Sequence, residues 1–228
     1  MQQIVLDIGL TIGPTLANFF TGSNAAAYQH LKECVDRSKV ALPLPTVPTY
    51  LWGSNGSGKT HLLQAVKLSL QQQGGAVGWL DASVQQPVEF DPSWVAIMLD
   101  EVDQYDASQQ HTAFNWFVNA QTQACWVLAA GGVPPADLAL REDLRTRLAW
   151  GPVFALLCPS ETERRAVLSQ AARERGLRLS NEVIDFMLNR FSRDLGSLMQ
   201  LLEQLDQYAL QTQRAITIPL IHAMMENS

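Results

Sequence analysis

The sequence predicts an α/β protein in which a five-stranded parallel sheet is flanked by helices and followed by a small all-helical lid. Three observations support this fold class. Short apolar runs alternate with helical segments up to residue 158, only helical patterns follow Ser160, and a glycine-rich loop links the first strand to a helix. Such alternation is typical of a parallel sheet with right-handed crossovers. A length of 228 residues suits one core with an appended lid.

The individual elements follow from apolar spacing and from helix-capping residues. The predicted strands are 49–52, 76–81, 95–100, 125–130 and 153–157, and core helices are predicted at 59–73, at 109–121 and just before Trp150. In the lid, Ser160 and Glu163 form a predicted capping box, Gly176 ends the first helix and Ser180 begins the second. Two more helices are predicted at 194–212, with a leucine-rich face, and at 217–225.

Composition narrows the class of protein. The net charge of −6 argues against the bulk phosphate neutralisation that drives non-specific DNA binding. Three cysteines without a Cys-x-x-Cys pair indicate a reduced compartment without structural zinc. The chain has neither an apolar run of about 18 residues nor the basic region of a signal peptide. We therefore expect a cytoplasmic protein with no membrane partner.

A phosphate-binding loop is predicted at residues 53–60, where GSNGSGKT fits the pattern G-x-x-x-x-G-K-[ST] between a strand and a helix. Glycines let backbone N–H groups approach phosphate oxygens, Lys59 adds positive charge, and the Thr60 hydroxyl is a magnesium ligand. The candidate nucleotide-binding residues of the loop are Gly53, Ser54, Asn55, Gly56, Ser57, Gly58, Lys59 and Thr60.

A second motif, VAIMLDE at 95–101, ends a predicted strand with two carboxylates. Asp100 is the candidate magnesium ligand beside Thr60, and Glu101 is the candidate base that polarises the attacking water. Asp103 and Asp106 continue the acidic cluster and are expected to be surface or loop-capping residues. The two motifs together predict binding of ATP or ADP with Mg2+.

Four stretches carry a resemblance to a known family. They are PTLANFFTGSNAAA at 14–27, GKTHLLQA at 58–65, LAAGGVPPADL at 128–138 and RTRLAWG at 145–151. In order and spacing they resemble the AAA+ domain of the bacterial replication initiator DnaA, from about Pro14 to the C-terminus. The resemblance implies an AAA+ P-loop NTPase core over 14–158, a helical lid over 159–228 and an extended segment over 1–13.

The fourth strand departs from the family pattern. DnaA-like proteins usually have a polar residue there, often in a Ser/Thr-x-Asp-Arg-Pro-Pro stretch, whereas this chain reads AAGGVPP over 129–135. Side chains that orient an attacking water are missing from this stretch. We therefore expect a domain that binds nucleotide well and hydrolyses it poorly.

The resemblance also implies roles for two arginines. Arg147 occupies the place of the family's arginine finger, which reaches in trans to the nucleotide of a neighbouring protein. Arg145 is interpreted as a supporting surface charge. Arg193 matches the family's second sensor, an arginine on the protein's own nucleotide. A salt bridge from Arg193 to an acid such as Asp194 is the alternative, and Arg190 is a less favoured substitute.

The N-terminus is similar to the Gln-Leu-x-Leu-x-Leu pattern by which such proteins bind the sliding clamp of DNA polymerase III, its beta subunit. In an extended chain Ile4, Leu6 and Ile8 point the same way and can enter an apolar pocket while Gln3 hydrogen-bonds at the rim. An ordinary edge strand or an untidy terminus is the alternative interpretation.

The resemblance therefore implies a regulatory adaptor that binds nucleotide. With the DNA-loaded clamp, it would promote hydrolysis of DnaA-bound ATP and so negatively regulate initiation of DNA replication. DNA would be contacted only through the clamp, because no helix-turn-helix domain is expected after the lid.

Several alternatives stay open. One is a self-hydrolysing AAA+ ATPase such as a DnaC-type helicase loader, which Glu101 and the complete phosphate loop favour. Another is a DnaA paralogue with an unrelated partner. The sequence also leaves open whether ADP or ATP is bound and whether the chain forms a homodimer.

Overall fold

The computed structural model describes residues 13–40, 42–191 and 195–226 of the chain. Its centre is a parallel sheet of five strands in the order β2-β3-β4-β1-β5. The strands are β1 (Thr49–Trp52), β2 (Ala76–Leu80), β3 (Trp94–Leu99), β4 (Trp126–Gly131) and β5 (Val153–Ala155). The predicted α/β fold class is confirmed, and β4 lies between β1 and β3.

Helices cover the sheet and continue as the C-terminal lid. The core helices are α1 (Ala25–Lys39), α2 (Lys59–Gln72), α3 (Ala107–Thr122) and α4 (Glu142–Leu148). The lid helices are α5 (Glu161–Glu174), α6 (Asn181–Arg190), α7 (Leu195–Thr212) and α8 (Ile218–Glu226). Short 3₁₀ turns lie at Gly22–Asn24, Val102–Gln104 and Pro135–Asp137.

Two apolar cores pack on the two faces of the sheet, because successive strand residues point to opposite sides. In β3, Ile97 and Leu99 pack against α3 and α4 together with Trp116 and Phe117. The intervening Met98 packs on the other face with α1 and α2. Because all the strand pairs are parallel, the carboxyl ends of the five strands lie at one edge of the sheet, where the phosphate loop begins.

The lid has its own apolar core, formed by α5 to α8 around leucines of α7 such as Leu198 and Leu202. The predicted capping box is present: the Ser160 hydroxyl accepts from the Glu163 N–H at 3.3 Å, and the Glu163 carboxylate accepts from the Ser160 N–H at 2.7 Å. Gly176 follows α5 with a φ of 73°, a value that favours glycine after a helix. No helix within the described ranges has both the length and the apolar character to cross a membrane.

Candidate functional site

The phosphate loop connects β1 to α2 at the carboxyl edge of the sheet. Two of its glycines leave no room for a side chain. A Cβ at Gly53 would lie 2.3 Å from the Leu156 carbonyl oxygen, and one at Gly58 would lie 2.7 Å from the Phe19 ring. Gly58 also has a φ of 94° as it begins α2. Glycine is therefore required for the tight turn into the helix.

The polar groups of the loop suit an anion. Lys59 is only 8% exposed, and its Nζ donates to the carbonyl oxygens of Gly53 at 2.7 Å and Ser54 at 3.1 Å. The Ser57 hydroxyl is buried without a hydrogen-bond partner among the described residues. An ammonium group and an unpartnered buried hydroxyl at the start of a long helix fit phosphate oxygens.

Asp100 and Thr60 meet at the same edge. Asp100 follows β3, is 2% exposed, and accepts hydrogen bonds from the Thr60 hydroxyl and from the Glu101 N–H at 3.0 Å. Burial raises the pKa of Asp100, and the hydrogen bond from Thr60 opposes this rise. A buried carboxylate beside a hydroxyl fits Mg2+, which binds through one or two protein oxygens and relies on phosphates and water for the rest.

Glu101 begins the turn after β3 and is exposed. Its backbone lies in the left-handed region, with φ 54° and ψ 39°. Such a conformation is uncommon for a residue other than glycine, and strain of this kind clusters at functional sites. The role of Glu101 as a base stays a prediction.

A small pocket adjoins the phosphate loop and contains residues that the sequence predictions did not name. It is lined by Phe20, Thr21, Gly22, Ser23, Asn24, Leu157, Cys158, Pro159 and Glu163. The Asn24 amide joins two of its walls, donating to the Leu157 carbonyl at 2.9 Å and accepting from the Leu157 N–H at 2.8 Å. Cys158 Sγ lies 3.4 Å from the Asn55 carbonyl of the loop. The only sequence signal for this wall is the NFFTGSN stretch.

Arg147 lies on α4 and is held against α3. Its guanidinium donates to the Gln121 side-chain oxygen at 2.8 Å, and Cζ lies 4.9 Å from the Trp150 ring centre and 5.3 Å from that of Phe114. The side chain is half-buried. These contacts hold the guanidinium against α3 and α4 and leave part of the side chain accessible to solvent.

The contacts of α4 show that Arg147 lies far along the sheet from the phosphate loop. The Arg141 N–H, just before α4, bonds Gln110 in the first turn of α3, whereas Arg147 bonds Gln121 in the last turn. The two helices therefore run side by side from the carboxyl edge of the sheet to the amino edge. Arg147 is near the amino edge, and the structure does not bring it to residues 53–60.

Some predicted site residues lie outside the described ranges. These are Gln3, Ile4, Leu6 and Ile8 of the N-terminal motif and Arg193 of the lid. Of the two acidic residues set aside as surface or capping groups, Asp106 caps α3 in a capping box with Gln109. Asp103 has a different partner, the backbone N–H of Gly132 at 2.7 Å.

Comparisons with known proteins agree with this geometry. Residues 161–225 match the family model described as "Hda, lid domain". An uncharacterized protein of Haemophilus influenzae is 29% identical over 240 residues, covering 98% of each chain. Domain III of Thermotoga maritima DnaA superposes with a TM-score of 0.72 at 19% identity, covering 93% of this chain and 95% of that one. AMPPCP-bound DnaA from Aquifex aeolicus has a TM-score of 0.66 at 21% identity, covering 87% and 66%.

The five-stranded parallel sheet, the phosphate loop and the C-terminal lid give the chain an AAA+ fold. Over residues 161–225 the chain is similar to the lid domain of Hda, and its fold as a whole is similar to that of DnaA.

Proposed function

We propose that this chain is a nucleotide-binding adaptor that acts with the DNA-loaded sliding clamp to promote hydrolysis of ATP bound to DnaA. It would thereby lower the frequency of replication initiation. The observation that carries this proposal is the position of Arg147, near the sheet edge opposite the chain's own phosphate loop and only half-buried. The lid match to Hda supports the same partner.

The chain's own site would hold ADP or ATP. Lys59 and the backbone N–H groups of residues 53–60 would bind the phosphates. Thr60 and Asp100 would hold Mg2+, which when bound neutralises phosphate charge. AMPPCP, an ATP analogue, is bound to the Aquifex aeolicus DnaA that this fold resembles. Nucleotide between the core and α5 would brace the two parts of the molecule.

Arg147 would complete a neighbour's active site. A guanidinium delivered in trans stabilises charge on the transferring phosphoryl group and raises the rate by about 10³–10⁵ in other systems. The aromatic rings of Phe114 and Trp150 and the amide of Gln121 would present the side chain in one position. The segment containing Gln3, Ile4, Leu6 and Ile8 would tether the chain to the clamp.

A second candidate function is ATP hydrolysis in the chain's own site, as in a DnaC-type helicase loader. The contact between Thr60 and Asp100 and the strained backbone of Glu101 favour it. This candidate predicts rapid hydrolysis by the isolated chain, whereas the adaptor predicts rapid hydrolysis only on DnaA.

A reconstituted assay separates the two candidates. DnaA carrying labelled ATP is mixed with clamp loaded on DNA, and conversion to ADP is followed with and without this chain. We expect conversion to need both the chain and the clamp, and to be lost in the variant Gln3→Ala/Leu6→Ala but not in the control Gln2→Ala. If DnaA-bound ATP is equally stable with and without the wild-type chain, the adaptor function is wrong.

A further inference from the structure

The carboxyl end of β4 lies between the two halves of the nucleotide site. β4 pairs with β3, which leads to Asp100, and with β1, which leads to the phosphate loop. The Gly53 N–H, at the start of that loop, donates to the Gly131 carbonyl at 3.3 Å. In P-loop enzymes a side chain near the terminal phosphate orients the attacking water. Here Gly131, the last residue of β4, and Gly132, which follows it, have no side chains.

The carboxylate of Asp103 occupies this space. Its Oδ1 accepts from the Gly132 N–H at 2.7 Å, and its Oδ2 lies 3.0 Å from where a Cβ of Gly132 would be. A Cβ at Gly131 would lie 2.9 Å from Oδ1 and 2.3 Å from the Tyr50 hydroxyl, so that position must stay glycine. Asp103 is exposed and can therefore meet water.

We propose that Asp103, on the turn after β3, replaces the carboxylate that β4 lacks and orients the water that hydrolyses a nucleoside triphosphate in the chain's own phosphate loop. The water oxygen bonds to the γ-phosphorus as the bond from that phosphorus to the bridging oxygen breaks. The bridging oxygen leaves with the electron pair on the diphosphate, and a water proton passes to Glu101 and then to solvent. Asp103 accepts the second hydrogen bond of the water.

This inference rests on the nucleotide-binding part of the proposed function and needs neither DnaA nor the clamp. It changes the expectation drawn from the AAGG stretch, because a carboxylate is present in space although it is absent from β4. Hydrolysis by the isolated chain should be slow but should depend on Asp103.

Relocating the carboxylate tests the proposal. Asp103→Asn keeps an oxygen for the Gly132 N–H but removes the charge, and Asp103→Ala/Gly132→Asp moves the carboxylate to the end of β4. The matched control is Asp91→Asn, since Asp91 also accepts a backbone N–H, that of Ser93 at 2.8 Å, but precedes β3 at the other edge. Three quantities are measured for the full chain of each variant: the rate of single-turnover Mg-ATP hydrolysis, the affinity for fluorescent ADP, and the melting temperature.

We expect wild-type hydrolysis above that of Lys59→Ala and a loss of at least about tenfold in Asp103→Asn, with ADP affinity changed by less than about twofold. The relocated carboxylate should restore the rate to within about threefold of wild type, and Asp91→Asn should have no effect. A wild-type rate in Asp103→Asn would overturn the proposal. So would a wild-type rate no higher than that of Lys59→Ala, or a folded relocation variant that gains nothing over Asp103→Asn. None of these outcomes bears on stimulation of DnaA.

Discussion

Asp100 is the residue at which function and stability conflict most plainly. It is 2% exposed at the end of β3, and burial raises its pKa, so its ionised form is disfavoured in the folded chain. The hydrogen bonds from Thr60 and the Glu101 N–H offset only part of this cost. A cation bound beside Thr60 would remove the rest.

Asp100→Asn should therefore stabilise the fold while it abolishes magnesium-dependent nucleotide binding. Because the pKa is raised, the penalty is present at neutral pH and disappears as the pH falls through that pKa. We expect the variant to unfold with a free energy about 1 kcal/mol higher at pH 7, and the gap to narrow as the solution is acidified. Urea unfolding at several pH values measures this difference. A less stable variant at pH 7 would contradict the account of Asp100.

Site residues that belong to a local sequence motif could be predicted from the sequence. Gly58 and Lys59 belong to the phosphate loop that follows β1, and Asp100 directly follows β3. Once these strands are recognised in the sequence, the positions of the three residues at the sheet edge follow. The contact of Asp103 with Gly132 joins residues from two different strand ends. No local pattern encodes it, and only the pairing of β3 with β4 brings the two together.

At the scale of elements, the pair α3 and α4 decides where Arg147 lies. Three aromatic rings surround its guanidinium, and Phe117 and Trp150 pack edge to face with their ring centres 6.3 Å apart. Cation–π contacts at exposed sites are worth about 0.5–1 kcal/mol each. The helix pair therefore reduces the number of positions the side chain samples.

Gln121→Ala should weaken this arrangement without unfolding it. Loss of the 2.8 Å hydrogen bond to Arg147 should lower clamp-dependent hydrolysis of DnaA-bound ATP by about three- to tenfold. The control is Gln123→Ala. Gln123 is a neighbouring exposed glutamine, and among the described hydrogen bonds its side chain has none to Arg147. Equal rates in the two variants, at equal melting temperatures, would show that Gln121 does not position Arg147.

The strands were predictable because each is an apolar run, yet tertiary contacts set their ends. Cys125 was predicted in β4, but its N–H bonds back to Ala120 in α3, and the strand begins one residue later. Leu157 was predicted in β5, but both its backbone groups pair with the Asn24 side chain. Helix α1 was not among the predicted elements. Its buried residues Leu31 and Val35 lie one helical turn apart.

On the scale of the whole molecule, the phosphate loop and Arg147 are two groups suited to binding anions, and they lie apart from each other. The phosphate loop, with Lys59 nearly buried, lies at the carboxyl edge of the sheet, and Arg147 lies toward the amino edge. A protein built this way suits a position between two nucleotides, one bound by itself and one bound by a neighbour. The N-terminal motif would add a third contact, to the clamp, that raises the local concentration of the chain near DnaA.

Hydrolysis of DnaA-bound ATP, measured with clamp-loaded DNA and either Arg147→Ala or the control Arg145→Ala, tests this account most directly. Both arginines lie on α4 and both are half-buried. We predict that Arg147→Ala lowers the stimulated rate by roughly a thousandfold and keeps its own ADP affinity, while Arg145→Ala stays close to wild type. Stimulation by Arg147→Ala equal to that by the wild-type chain would contradict the account.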